Sequence, residues 1–437
     1  MSIFDLEAIS FGVAPVYPAF GLFAMAFCLT YISTPLKLTL PRPLLYLVLF
    51  GMFNVASILG SAWVPPDYLH LSVKQPWVFG TTQAAYVLAM VLAAVLVYEA
   101  FVSFPRLVHS ALRAHIIAAV FVSIWGFYQF VAYYNGWPYS LIFNNNEYYA
   151  QAYMQSLGPL KRVNSTALEP STLAMYLLTA MPISLYSVAY KVKIIARGFD
   201  FAALCVISMA LLMTTALTAF LGIAILAIIA GLIGRLSGPR AILLFIAIAV
   251  TCVLFLTTWS REIERFSAVS PIVERFSRIE MNEDLSTNTR WNSLVTTLAM
   301  FLDHPIAGVG IGNTAFYYYL YSDQAVEGFY PRIYSYGARI LAELGLVGVL
   351  LISIFLFLCV RSRPSETLDK NGGLLWESLW LTFLTSFATL IISQADIVHF
   401  EVWFLCGSFL ALSHWRDQQV VRVPGAPKRF TTVARSR

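Results

Sequence analysis

Five cations and one carboxylate stand out in this chain for the chemistry they can support. Lys161 and Arg162 open the stretch "KRVNSTALEPSTLAMYL", which also holds Glu169. Arg290 opens "RWNSLVTTLAMFLD", and Arg332 and Arg339 lie in "YPRIYSYGARILAELGLVG". Guanidinium forks match the oxygens of a phosphate two at a time, so arginines in this number suggest a phosphorylated ligand. Each residue also has a plainer role open to it. Arg290 can pair with Glu283 or Asp284, and Arg339 with Glu343 at i+4. Glu169 sits where a helix begins, and an acid is electrostatically favourable there without any catalytic task.

Between the second and third of these stretches runs "HPIAGVGIGN", His304 to Asn313. Gly308, Gly310 and Gly312 alternate with small apolar residues, much as in a phosphate-binding loop. A dinucleotide fingerprint, however, requires a preceding buried strand and a third glycine where Asn313 stands. The glycines suit either close contact with a ligand or a tight re-entrant turn packed on neighbouring helices. His304 suits either a catalytic role or a helix C-terminal cap. "NEDLSTN" places Asn282, Asp284, Ser286 and Asn288 at alternate positions of a calcium-type loop, but it lacks the glycine and the closing Glu. No metal-binding or Ser-His-Asp spacing accompanies it, so the expectation is a site without metal or cofactor.

The elements that hold these residues follow from composition. The 437 residues are 59% hydrophobic and only 12% charged, against roughly 25% charged in soluble domains, and the mean hydropathy is +0.72. Uncharged runs long enough for a bilayer, which takes roughly 20 residues, include Ala8–Leu36, Pro43–Pro66, Trp77–Tyr98, Ala114–Asn146, Ser171–Tyr190, Phe201–Gly234, Ala241–Ser260, Leu344–Val360 and Ser378–Ala395, with Val402–Trp415 as a shorter candidate. One helix through Phe201–Gly234 would measure about 51 Å, so the polar patch Thr214–Thr218 is where it should break into two. The fold class is therefore an all-α, polytopic membrane protein of about 11 transmembrane helices. The five cysteines all fall inside apolar runs and behave as small hydrophobes.

Basic residues set the orientation. Eighteen lie in the connections and tail on one side and three, Lys74, Lys161 and Arg162, in the short connections of the other. The positive-inside rule then makes the tail cytoplasmic and the N-terminus external. The expected organisation is N-terminal helices over 1–134, an external loop over 135–170, central helices over 171–259, a large helical external segment over 260–336, C-terminal helices over 337–415 and a basic cytoplasmic tail over 416–437. No nucleotide pool or nucleic acid is expected beside the external cations. Within the external segment, Trp291, Leu294, Val295, Leu298, Phe301 and Leu302 have the spacing of an amphipathic helix. Ser286 to Asn288 offer N-caps for it, which would put Arg290 in its first turn.

"NTRWNSLVTTLAMFLDHPIAGVGIGN" followed by "ARILAELGLVGVLL" resembles the conserved module of the O-antigen polymerase and ligase superfamily. "RVNSTALEPSTLA" resembles the arginine and Glu-Pro-Asn element ahead of the family's central span, with Ser171 in place of Asn. The resemblance implies a metal-independent, inverting glycosyltransferase of the GT-C type in the bacterial cytoplasmic membrane, working on its outer face. It implies substrates that are glycans on undecaprenyl pyrophosphate, contact with membrane lipids and, for a polymerase, a chain-length regulator as partner. Arg162 and Arg290 are the positions that match the family's arginines; Glu169 is the first candidate for the general base. Lys161, Arg332, Arg339, Tyr334, His304, Gly308 and Gly310 are the expected substrate contacts.

One departure bears on the reaction. Ligases of this family carry a histidine nine residues plus one polar residue ahead of the Gly-x-x-Gly pair, and here that position, counted from Gly345 and Gly348, is Tyr334. A phenol with an ordinary pKa near 10 is a poor base near neutrality. This favours a polymerase of repeat units over an O-antigen ligase. The competing class is a transporter of lipid-linked sugars; against it stands the expectation that no charged residue lies buried in mid-span.

Overall fold

The computed structural model describes residues 40–65, 75–138, 156–157, 160–167, 169–232, 285–322, 333–364 and 370–418. The expected spans Ala8–Leu36 and Ala241–Ser260 lie outside these residues, as do Arg332 and the first half of the calcium-like stretch. The described part is helical apart from a two-residue antiparallel pair, β1 (Ser156–Leu157) and β2 (Leu160–Lys161).

The helices fall where the apolar runs place them. They are α1 (Arg42–Ala56), continued to Trp63 by a 3-10 segment, α2 (Pro76–Ser103), α3 (Arg106–Asn135), α4 (Pro170–Tyr190), α5 (Arg197–Met213), α6 (Leu217–Leu232), α7 (Leu285–Asp303), α8 (Thr314–Tyr321), α9 (Tyr336–Arg361), α10 (Lys370–Ser393) and α11 (Phe400–Gln418). Among the described residues six helices are long and apolar enough to cross a membrane, and α6 and α11 carry shorter apolar stretches. The protein is a polytopic helical membrane protein. Helices α4 and α10 form its centre and are buried over most of their length. Around them α5, α6 and α11 pack on one or both, α11 lies along α2, and α1 bridges α2 and α9.

Three local features position the site. The run Phe201–Gly234 breaks where its threonines predict: α5 ends at Met213 and α6 starts at Leu217. Thr214 Oγ1 donates to Leu211 O and accepts from Ala216 N, so the side chain replaces the helical ladder. Helix α9 starts eight residues before the apolar run, carrying Arg339 and Glu343 inside as an ion pair, and is interrupted at Gly345 (φ 59°, ψ −156°). A second, smaller core joins Val64, Met300, Val309, Phe316, Tyr317 and Ala342 where α7 and α8 meet the start of α9.

One expectation for α7 is corrected. The helix begins at Leu285, so Ser286 to Asn288 lie within it and Arg290 stands beyond its first turn. Its apolar stripe also faces outward: Trp291 and Leu302 are 63% and 68% exposed, while Ser293, Thr296 and Thr297 are buried. The helix packs on α9. Small hydroxyl residues make the close helix–helix contact here, and the large apolar ones stay on the outer face.

Candidate functional site

The segment from Lys161 to Ala167 is threaded through the protein's interior. Asn164 exchanges bonds with Gln129 of α3: Gln129 Nε2 donates to Asn164 Oδ1 at 2.8 Å, and the amides of Asn164 and Ser165 donate to Gln129 Oε1. Ser165 takes a left-handed backbone (φ 52°) and is held there by its hydroxyl, which donates to Val122 O. Gly126 permits this approach, since a Cβ there would lie 2.7 Å from Val163. The result is a rigid mount for Arg162, whose Nε donates to Thr214 O at the α5–α6 break at 3.3 Å. Just beyond, Glu169 occupies the N-cap of α4 and accepts from Ser171 Oγ at 3.2 Å.

Arg290 reaches the same region from the other side. Its Nη1 donates to Ser393 O, the last residue of α10, at 3.2 Å, and its guanidinium lies 5.5 Å from the ring centre of Tyr334. Gln394, the next residue, donates to Thr218 Oγ1 in the first turn of α6. A continuous run of contacts therefore leads from Arg162 through the α5–α6 break and the end of α10 to Arg290. Tyr334 is fixed at this point by its own amide, which donates to Ser293 Oγ, and Ser335 caps α9 by accepting from Ala338 N. The contact of Arg290 with Tyr334 was invisible in the sequence, because the 43 intervening positions carry no periodic signal linking them.

The glycine stretch does a different job. The amides of Val309 and Gly310 donate to Ala342 O and Glu343 O of α9, and those of Leu346 and Val347 donate back to Pro305 O and Ile306 O. Gly308, Gly310 and Gly312 all have positive φ, and a Cβ on Gly308 would fall 2.3 Å from the Glu343 backbone. Backbone thus meets backbone at the α9 interruption, the packing alternative that the spacing left open. Asn313 closes the turn by donating to Val309 O. His304 ends α7 and stacks edge-on to Tyr317 at 5.7 Å. Arg339 pairs with Glu343 at 3.0 Å, and Glu343 also accepts from Thr314 Oγ1, so this cation is tied into the same joint. Asn54, Gln83, Tyr336, Asp396 and Ile397 line a narrow crevice beside Arg339 and Glu343.

The described residues contain no group of three His, Cys, Asp or Glu side chains placed to hold a metal ion.

A family model described as O-antigen ligase matches residues 201–353, the part that runs from α5 through the α7 helix and the glycine turn into α9. The match supports the O-antigen polymerase and ligase superfamily over that stretch. No curated protein and no solved structure matches it. The match supports a membrane enzyme of the ligase or polymerase kind, a family whose substrates are lipid-linked glycans. Arg290, Tyr334, His304, the glycines and Arg339 lie inside the matched stretch, whereas Lys161, Arg162 and Glu169 lie before it, and Arg162 bonds to it at Thr214 O.

Several ionisable side chains are buried in the bundle. His399 Nδ1 lies 3.1 Å from Glu401 Oε1, and both side chains are buried. His115, in α3, bonds Thr179 Oγ1 of α4 at 3.1 Å and packs on Tyr176 and Phe404. Ionisable groups are therefore buried among the spans. Glu401 escaped notice because it stands one residue before an apolar run and looks like part of a connection. The His399–Glu401 pair lies at the start of α11, and the family match is what speaks against a transporter.

Proposed function

We propose that this enzyme polymerises oligosaccharide repeat units carried on undecaprenyl pyrophosphate, at the outer face of the bacterial cytoplasmic membrane, by metal-independent transfer with inversion. The observation that supports this most is the approach of Arg162 and Arg290, from separate segments, to the α5–α6 break and the adjoining end of α10. Two oriented guanidinium groups suit the pyrophosphate of a lipid-linked donor.

The reaction is a displacement. The acceptor sugar hydroxyl attacks the anomeric carbon of the donor, the bond to the pyrophosphate oxygen breaks, and the electron pair leaves with the carrier. Arg162 and Arg290 stabilise the charge that grows on that leaving group, an effect stronger in the transition state than in the bound substrate. The hydroxyl proton goes to a base, for which Glu169, at the head of α4 beside this mount, is the candidate. Tyr334 serves as an aromatic support for Arg290 and not as a base.

The assay is transfer by purified protein supplied with synthetic lipid-linked repeat units. Arg290→Ala and Arg162→Ala are each expected to abolish chain growth while the protein remains folded. Arg290→Lys should restore only part, since a point charge replaces a bidentate fork. Full activity in both alanine variants refutes the site. The description of the matching family favours a second outcome, in which the protein joins a finished chain to an acceptor lipid. The same assay separates the two, because a ligase leaves the repeat units unpolymerised.

A further inference from the structure

Lys161 is the one cation of the site whose charge is left without a hydrogen-bonding counterpart among the described residues. Its side chain is fully buried, and no acceptor bonds the Nζ. The ammonium lies 5.8 Å from the ring centre of Tyr133, while its own backbone amide donates to Tyr134 Oη at 3.1 Å. Both tyrosines belong to α3, so backbone and side chain are anchored on one helix end. The residue next along is Arg162, whose like charge adds to the cost of keeping Lys161 protonated. A buried ammonium without a partner is strongly unfavourable. An aromatic face offsets only a small part of that cost.

We propose that Lys161 is a built anion contact, completed when an anionic oxygen of the substrate, from the carrier pyrophosphate or from an acidic sugar of the glycan, enters beside it. The proposal rests on the polymerase or ligase function for the source of that anion. It assigns Lys161 a role distinct from the arginines. They are oriented by carbonyl oxygens with or without substrate, whereas Lys161 gains its partner only from the ligand. Burial, with the neighbouring Arg162 charge, lowers the Lys161 ammonium from its ordinary value to about 8. An arriving anion raises it again, so binding near that pH takes up a proton.

The test uses full-length protein in nanodiscs, titrated calorimetrically with undecaprenyl pyrophosphate and, separately, with glucuronate. Buffers of different ionisation enthalpy report the protons exchanged. Wild type is expected to take up a fraction of a proton per ligand at pH 8 and above. Lys161→Met should weaken binding about tenfold or more, the usual effect of losing a charge-assisted bond, and should abolish the proton uptake. Lys161→Arg should keep most affinity and show no uptake, because it is charged throughout. Lys161→Met should also melt higher than wild type without ligand, which shows that it is folded. Loss confined to undecaprenyl pyrophosphate makes the carrier the source; loss confined to glucuronate makes it the glycan. Unchanged affinity for both ligands in Lys161→Met overturns the proposal. If Arg290→Ala loses binding in that same experiment, the functional assignment stands without it. A wild type that binds neither ligand overturns both.

Discussion

Replacing Gly345 with alanine tests how the site is assembled. Gly345 adopts φ 59° and ψ −156°, in a region of backbone space almost reserved for glycine. A side chain held there costs about 1–3 kcal/mol in backbone strain. The new Cβ would also lie 2.5 Å from Ile306 O and 2.7 Å from Gly308 N, both backbone atoms that cannot rotate away. The glycine turn must shift, and with it the bonds from Leu346 N to Pro305 O and from Val347 N to Ile306 O. Two lost backbone bonds cost about 2 kcal/mol together, bringing the total to about 3–5 kcal/mol. That is a large share of the roughly 5–15 kcal/mol by which proteins are stable. Gly345→Ala should therefore lower the melting temperature in detergent clearly and reduce transfer, because α7 and Arg290 hang on the same joint. Gly373→Ala, in α10 with nothing within 4 Å of the added Cβ, is the control and should be neutral or slightly stabilising. A Gly345→Ala protein that melts and turns over like the control would refute the account of the joint.

Other predictions follow from single contacts. Tyr334→Phe keeps the ring under Arg290 and should retain substantial transfer, whereas Tyr334→Ala should lose several-fold; equal, complete loss in both would assign the hydroxyl a chemical role. Lys161 has a lowered ammonium value of about 8, so between that pH and its ordinary range the unfolded chain holds more protons than the folded one. Stability of the ligand-free protein should thus rise as pH increases through about 8, and this rise should be missing in Lys161→Met when melting is followed from pH 7 to 9.5. Asn164→Leu removes the partner of Gln129 in a buried position and should cost about 1–3 kcal/mol, read as a lower melting temperature with parallel loss of activity. A cysteine placed at Ser286 should be labelled by an impermeant reagent from outside the cell and one at Ser365 should not; the reverse pattern would invert the topology.

Much of the scaffold was legible because a bilayer imposes a simple rule on apolar length. The break at Thr214 to Ala216 could be anticipated from helix length and a threonine cluster alone. Hydropathy alone starts α9 at Leu344, because Arg339 and Glu343 sit in its first turns, and it is their i+4 pairing that makes the earlier start legible. Periodicity found α7 but does not say which face packs on the protein, and it is Ser293 and Thr297 that turn inward. The two arginines were visible as residues of segments expected to be external. Their separate bonds to Thr214 O and Ser393 O, on elements joined by the Gln394–Thr218 bond, are tertiary facts that no spacing encodes. The glycines carried a genuine double signal, and only the bonds from Val309 and Gly310 to α9 reveal what their amides contact.

The most direct test of the proposed activity is the lipid-linked glycan profile of a strain lacking this gene, with the chains still on the carrier extracted and sized. Polymerisation by this enzyme predicts that single repeat units accumulate on undecaprenyl pyrophosphate and that longer carrier-linked chains disappear, with recovery on wild-type but not Arg290→Ala complementation. Long chains persisting on undecaprenyl pyrophosphate in the deletion strain would contradict it.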